Sequence, residues 1–330
     1  MTPLVERARE LAREAHEGQL RKAGRVPYFA HLEAVATIVA AHGHDDEVTV
    51  AAAYLHDLIE DQPTHAPRLR AEMPREVVEV VQVLTEPKRD DEGRRRDKAQ
   101  RFDDYVGQLS APTPAAATAI PISCADKIHN LRSIVETEAR GESLLGRLST
   151  RPGDHRTQLA RLRPIYARGA SARLLDAFDA EAEALMETIA RWLPGRAVAL
   201  AAEAHLGQFD KAGAPYIEHP MRLMLRADGA HEKMVAVLHD VVEDSAWTLD
   251  GLRREGFGEP VLGALDRLTR RANESYDAFI ARVAEDPLAT RVKLLDLEDN
   301  ADLSRIEAPT ERDRARVDRY RRAIQRLRGT

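Results

Sequence analysis

The stretch "DDEVTVAAAYLHDLIED" at 45–61 decides how this chain is read. Its aspartates stand where a helix N-cap belongs, and an Ala/Leu/Ile-rich body follows, so 47–60 reads as a helix. On that helix Glu60 lies one turn beyond His56 and Asp61 one turn beyond Asp57, which gathers four polar groups on one region of its surface. "HDVVED" at 239–244 repeats the pattern with apolar residues in the same two slots. A single His-Asp pair has little weight in a chain with 12 histidines and 55 acidic residues, so the surroundings must decide.

Upstream of the first copy stands "HEGQLRKAGRVPYFAHLEAV" at 16–35, and upstream of the second "HLGQFDKAGAPYIEHPMRLM" at 205–224. The offset is 189 residues from His16/His205 to Gly24/Gly213 and 188 from Pro27/Pro215 to His31/His219, a one-residue loop change. Downstream come "DKIHN" at 126–130 and "DLEDN" at 296–300. Four landmarks in the same order predict an internal duplication. The expected domains are 1–193 and 194–330, joined by a helix over 171–193 that Pro194-Gly195 should break. The first copy carries an extra segment at 141–170. Residues 86–98 and 111–115 read as mobile loops, with the Arg94–Arg96 run a solvated part of the first.

Composition limits the architecture. Charged residues make up 32% of the 330 and aromatics only 5%, and the chain is rich in Ala, Leu, Arg and Glu. That favours helices with ion-paired surfaces, so the expected fold class is all-α, as two tandem helical bundles. Net charge is 49 − 55 = −6, which argues against a nucleic-acid coat. The lone Cys124 makes neither an intramolecular disulfide nor a Cys-rich zinc site. The first helix lacks a signal peptide's continuous apolar core, and no run approaches membrane-spanning length. The expectation is a cytoplasmic protein with no nucleic-acid or membrane partner. Nothing in the residues speaks to oligomeric state.

Asp126 and Asn130 are spaced i, i+4, as are Asp296 and Asn300, so each pair can point from one helix into one site. The candidate metal ligands are His31, His56, Asp57 and Asp126 in the first copy, and His219, His239, Asp240 and Asp296 in the second. Two imidazoles with two carboxylates suit a divalent transition metal, Mn(II) or Fe(II) rather than structural zinc, and leave positions for water and a phosphate oxygen. The acidic pairs Glu60-Asp61 and Glu243-Asp244 stand just beyond, placed to orient water or take its proton. Lys127 and His129 read as packing or local capping residues. No Gly-x-x-x-x-Gly-Lys-Ser/Thr loop is present, which disfavours a nucleotide-driven motor.

These residues resemble the HD superfamily of metal-dependent phosphohydrolases, more specifically the hydrolase domains of RelA/SpoT-type alarmone enzymes and the small alarmone hydrolases. The resemblance rests on "GQLRKAG" with "PYFAH" in 18–31, "HDLIED" at 56–61 and "ADKIHNLR" at 125–132. It implies a compact all-α bundle and a manganese ion on His31, His56, Asp57 and Asp126. It also implies catalysis by Glu60-Asp61, with Arg21, Lys22, Gly24 and Asn130 at a nucleotide, and Lys211 and Asn300 as the second copy's counterparts. The implied reaction removes pyrophosphate from the 3′ position of ppGpp, a small-molecule nucleotide substrate. Both copies depart from the family's Thr-Lys-Leu element, with "LTEPKRD" at 84–90 and "LTRRANE" at 268–274. The second copy runs to Thr330, so no synthetase domain is expected. An HD-type nucleotidase or phosphatase acting on another ester is the alternative, and a nucleotide sensor with one non-catalytic copy is another. Arg21 of the first copy becomes Asp210 in the second, so the second pocket is expected to select a different base or a less charged ligand.

Overall fold

Thr2 starts the first helix: its hydroxyl accepts from the Val5 N–H at 3.4 Å, and Pro3 occupies the first turn, where a missing N–H costs nothing. In this computed structural model, which describes residues 2–21, 26–88, 92–306 and 308–329, the chain divides into two units. One comprises 1–149 with 155–188, the other 150–154 with 189–330. Both are all-α. Among the described residues there is no strand, only isolated bridges at Leu20–Pro27 and Phe209–Pro215.

In the first unit, α1 (Pro3–Ala15) and α2 (Phe29–Ala41) pack on α3 (Glu47–Leu55). After α4 (Leu58–Asp61) and α5 (Ala66–Glu72), α6 (Arg75–Leu84) returns against α3 and against α8 (Pro114–Ala139), with α7 (Lys98–Ser110) beside them. Leu11, Leu32, Leu55, Leu58, Ile128 and Leu131 are fully buried among these helices. Their burial holds the helices together, each such side chain contributing about 1.5–3 kcal/mol. Asp46 caps α3 through the Thr49 N–H at 2.9 Å, as the sequence predicts. The 111–115 segment is short: Thr113 caps α8 through Ala116 N–H at 3.1 Å and Pro114 is already helical. Within 86–98, Lys98 already begins α7.

The helix expected over 47–60 is interrupted at His56-Asp57, between α3 and α4. The cause is local. His56 Nδ1–H donates to the Ala53 carbonyl at 2.8 Å, the acceptor that the Asp57 N–H would use if the helix continued. His239 does the same to Ala236 at 2.9 Å, between α12 (Gly229–Leu238) and α13 (Val241–Asp244).

After α9 (Pro152–Gly169), α10 (Ala172–Ala204) corrects a second expectation. Pro194 lies inside the helix and does not break it. Leu193, Ala197, Leu200 and Ala201 remain buried along the same stretch, and that packing outweighs a proline cost of about 3 kcal/mol. The second unit continues with α11 (Glu218–Arg226), α12 and α13, then α14 (Leu249–Glu255), α15 (Glu259–Leu268), α16 (Tyr276–Val283), α17 (Pro287–Ala301) and α18 (Glu311–Arg328). There α11 packs on α12 and α17, α15 on both α12 and α17, and α18 on α17. No helix among the described residues is long and apolar enough to cross a membrane.

Candidate metal centre

The loop after α1 is shaped by Gly18, which adopts φ +74, a left-handed conformation that favours glycine. Tyr28 N–H then donates to the Gln19 carbonyl at 2.8 Å and Arg21 N–H to Val26 O at 3.0 Å. This pinch sets Tyr28 and the start of α2, and so His31. His16 explains the His-x-Gly-Gln motif: it stacks on Tyr28 and bonds Gln19 Oε1 at 2.8 Å, while Gln19 Nε2 donates to Asp61 Oδ2 at 2.9 Å. The motif is scaffolding for the acidic pair.

His31 from α2, His56 and Asp57 from the α3–α4 junction, and Asp126 from α8 converge. His31 Nε2 lies 3.2 Å from Asp126 Oδ1 and 3.5 Å from Asp57 Oδ2; His56 Nε2 lies 3.0 Å from Asp57 Oδ2 and 3.7 Å from Asp126 Oδ1. Atoms about 2.1 Å from a common ion stand roughly 3.0 Å apart at right angles and roughly 3.4 Å apart at the tetrahedral angle, so the spacings of His31 and His56 to Asp126 suit a shared cation, with Asp57 beside both histidines. His31, His56 and Asp126 form a group that could hold a metal ion. His56 Nε2 is buried and has no hydrogen-bond partner, as a ligating lone pair should be, and its Nδ1 bond to Ala53 presents that tautomer. Burial acts to lower the His56 pKa, but Asp57 and Asp126 hold it well above the ordinary value. Burial acts to raise both carboxyls, and His56 and His31 hold them below the usual range. A cation must displace that proton, so metal binding weakens in acid.

Supporting groups complete the centre. Tyr28 OH donates to Asp57 Oδ2 at 2.6 Å, and Asn130 Nδ2 donates to Asp126 Oδ1 at 2.7 Å. His129 stands 2.9 Å from His31, ring nitrogen to ring nitrogen; burial, with His31 and Arg21 adding to it, pushes its pKa down to about 4. Arg21 reaches the same place, donating to Asn130 Oδ1 at 2.8 Å with His129 Nδ1 at 3.2 Å. Glu60 is half-buried, with Lys88 Nζ 3.5 Å from its carboxylate and donating to its carbonyl at 2.8 Å. Asp61 is exposed. Lys22 and Gly24 lie outside the described residues. Sequence reasoning missed Tyr28, Gln19 and the contacts of His129; the repeated Tyr28/Tyr216 and Gln19/Gln208 were the available signal.

The second unit gathers its own set. His239 Nε2 lies 3.0 Å from Asp240 Oδ2 and 3.8 Å from Asp296 Oδ1, and His219 Nε2 lies 3.3 Å from Asp296 Oδ1. Tyr216 OH donates to Asp240 at 2.6 Å, Asn300 Nδ2 to Asp296 at 2.5 Å, and His239 Nε2 is again buried without a hydrogen-bond partner. The surroundings differ. Asp299 stands where His129 does, taking His219 Nδ1 at 2.7 Å and Arg222 Nε at 2.9 Å, and Lys293 Nζ donates to Asp296 Oδ2 at 2.7 Å. Asp296 and Asp299 raise His219 to about 9 although burial opposes them. Asp210 accepts from the N–H groups of Ala212 and Ala214, both at 2.9 Å, and so closes its own loop. Glu243 accepts from Arg270 N–H at 3.0 Å, and the Asp244 carbonyl accepts from Gln208 at 3.0 Å. Lys211, Arg222, Arg305 and Tyr320 share a cavity of about 330 Å³ with Asn300 and Asp299.

Residues 8–148, the segment that carries the first cluster, match the model of the HD domain. The likeness to the HD domain is confined to this segment. Guanosine-3′,5′-bis(diphosphate) 3′-pyrophosphohydrolase of Haemophilus influenzae is 36% identical over 124 residues, covering 38% of this chain and 18% of that protein. Bifunctional (p)ppGpp synthase/hydrolase SpoT of Escherichia coli is 35% identical over 124 residues, 38% of this chain and 17% of its own. GTP pyrophosphokinase of Streptomyces coelicolor is 34% identical over 115 residues, 31% of this chain and 13% of its own. The chain therefore spans under a fifth of the length of these relatives, and the likeness is to the HD domain.

Proposed function

We propose that the HD domain of the first unit is a metal-dependent (p)ppGpp 3′-pyrophosphohydrolase. The observation that carries this reading is the convergence of His31, His56, Asp57 and Asp126, with a buried unpartnered imidazole nitrogen, inside a domain similar to proteins named for that reaction. These four residues hold the cation, and manganese suits their mixture of imidazole and carboxylate, with Fe(II) the next candidate. When bound, the cation supplies Lewis acidity, lowering the pKa of water and offsetting phosphate charge.

The residues supply the rest. Tyr28 and Asn130 orient the two carboxylates. Glu60 takes the proton of the attacking water as the new O–P bond forms, and Asp61 is held beside it by Gln19. The bond from phosphorus to the ribose 3′ oxygen breaks and that oxygen is protonated, so ppGpp and water give GDP and pyrophosphate. Arg21 and Lys22 meet the nucleotide, and Arg21 is oriented by Asn130. Incubation of Mn-loaded protein with ppGpp tests the reading. Release of GDP and pyrophosphate is expected; turnover of another nucleotide instead would move the enzyme to a different substrate and keep its class.

We infer that the second unit is a second HD-type domain with a changed ligand preference, acting as a generic phosphohydrolase or as a binding site. The support is Asp299, which engages Arg222 and Arg305 at the place where the first unit has His129 beside Arg21. The guanidinium lost at Asp210 is supplied from α11 instead, so the pocket keeps cations in a different layout. Turnover of a nucleotide panel by variants inactivated at one cluster tests it.

A further inference from the structure

Lys88, Arg95, Arg96 and Arg101 line a cavity of about 350 Å³ in the first unit, and of these only Lys88, at Glu60, touches the centre described above. The backbone builds it. Arg96 N–H donates to the Lys88 carbonyl at 3.1 Å, drawing the two limbs of the loop together, and Asp97 then caps α7 so that Arg101 follows in its first turns. Only part of the charge is met. Arg96 pairs with Asp104, and Arg101 is 3.8 Å from Glu86 while its Nε is buried without a hydrogen-bond partner. Among the described residues Arg95 has no ion-pair partner, and it is exposed. In the second unit the arginine between α15 and α17 is fully used: Arg282 donates to the Asp266, Arg267 and Thr269 carbonyls and pairs with Glu274.

Lys88, Arg96 and Arg101 each have one carboxylate neighbour, yet four cations turned to one cavity still favour an anion there, and guanidinium forks match phosphate oxygens two at a time. Lys88 touches both this cavity and Glu60, so the cavity borders the reaction centre. We propose that Lys88, Arg95, Arg96 and Arg101 form a phosphate-binding subsite that receives the pyrophosphate leaving past Glu60. The identity of the anion rests on the pyrophosphohydrolase reading, whereas the subsite itself rests on the cations.

The experiment titrates inorganic pyrophosphate into full-length, metal-stripped protein at about 0.15 M salt, so that the ion binds protein and not manganese. The wild type is expected to bind, and R95A to weaken binding by about tenfold, R95A/R101Q further, since each lost charge-assisted contact is worth roughly ten- to a hundredfold. R95A alters an exposed side chain and keeps the test alive if R101Q disturbs folding, which circular dichroism reports. No binding by the wild type, or binding by R95A and R95A/R101Q as tight as that of the wild type, overturns the proposal. GDP is the second ligand: if its affinity falls in the variants while that of pyrophosphate does not, the cavity holds the 5′ diphosphate and the product assignment is wrong. Hydrolysis of ppGpp with pyrophosphate binding insensitive to these variants would sink the subsite and leave the function standing; the converse would sink the substrate reading alone.

Discussion

Burial pushes the Glu60 carboxyl up to about 7, with Glu86 and Asp57 adding to it and Lys88 opposing. A general base works ionised, so kcat/KM for ppGpp should rise with pH through an acidic limb at or below about 7, the bound cation moving it downward. Glu60→Gln should abolish that limb, lower kcat by about 10²–10⁴ and leave metal content unchanged; a variant that lost its metal would make Glu60 a ligand. The same shift has a stability consequence in metal-free protein. Between pH 4.5 and about 7 the unfolded carboxyl has released its proton while the folded one keeps it, so stability falls as pH rises across that window. Glu60→Gln should therefore stabilise the metal-free protein at pH 8 by about 1–3 kcal/mol, with the gap closing near pH 4.5, as read by denaturant unfolding. At the ligands, His56→Ala or Asp57→Ala should strip the first site outright. Tyr28→Phe should weaken it by about 10- to 100-fold, because it frees Asp57 to turn; metal titration distinguishes the two.

α8 carries Asp126 and Asn130 on one face while Ile128 and Leu131 anchor the other in the core. Its start depends on Thr113, and Thr113→Ala should cost about 1 kcal/mol of stability with the metal content unaltered, since the cap lies three turns from Asp126. Ile128→Ala should cost more, about 2–5 kcal/mol, and should also weaken metal binding, because it loosens the buried face that anchors the stretch of α8 carrying Asp126. Thermal unfolding with metal analysis of both variants checks the contrast. If Thr113→Ala emptied the site, the helix start and the ligands would be more tightly coupled than their separation allows. The junction of α3 and α4 belongs to this scale too. A side chain that competes for a backbone carbonyl ends a helix where residue propensity alone would continue it, and the end turns His56 Nε2 toward the centre.

Two clusters of the same donor types in one chain make metal stoichiometry the decisive measurement for the whole molecule. Two ions per chain are expected, because each unit gathers two histidines and a carboxylate that could hold an ion, His31, His56 and Asp126 in one and His219, His239 and Asp240 in the other. His56→Ala and His239→Ala should each lose one ion. Only His56→Ala should abolish ppGpp hydrolysis; activity that survived it and vanished with His239→Ala would reverse the roles of the halves. The two units thus share donor sets and differ in what surrounds them, which is where a change of ligand would be written.

The all-α class was legible in the residues, because helix periodicity and i, i+4 spacing are local properties that side chains impose on their own segment. Asp126 with Asn130 shows this: four residues apart on one helix, they are hydrogen-bonded at 2.7 Å. Proline was the limit of local reasoning. Pro194 has a fixed helix-breaking cost, yet whether α10 continues depends on the burial of Leu193, Ala197 and Leu200, which no window of sequence contains. Arg21 and Asp210 mark the same limit at the site: the substitution is plain, but only packing reveals that Asp210 closes its own loop while Arg222 arrives from another helix. Which residues can donate was determined by the sequence alone; which of them meet was decided by the tertiary structure, because contacts between groups scores of residues apart follow from how buried faces pack and not from the order of the chain.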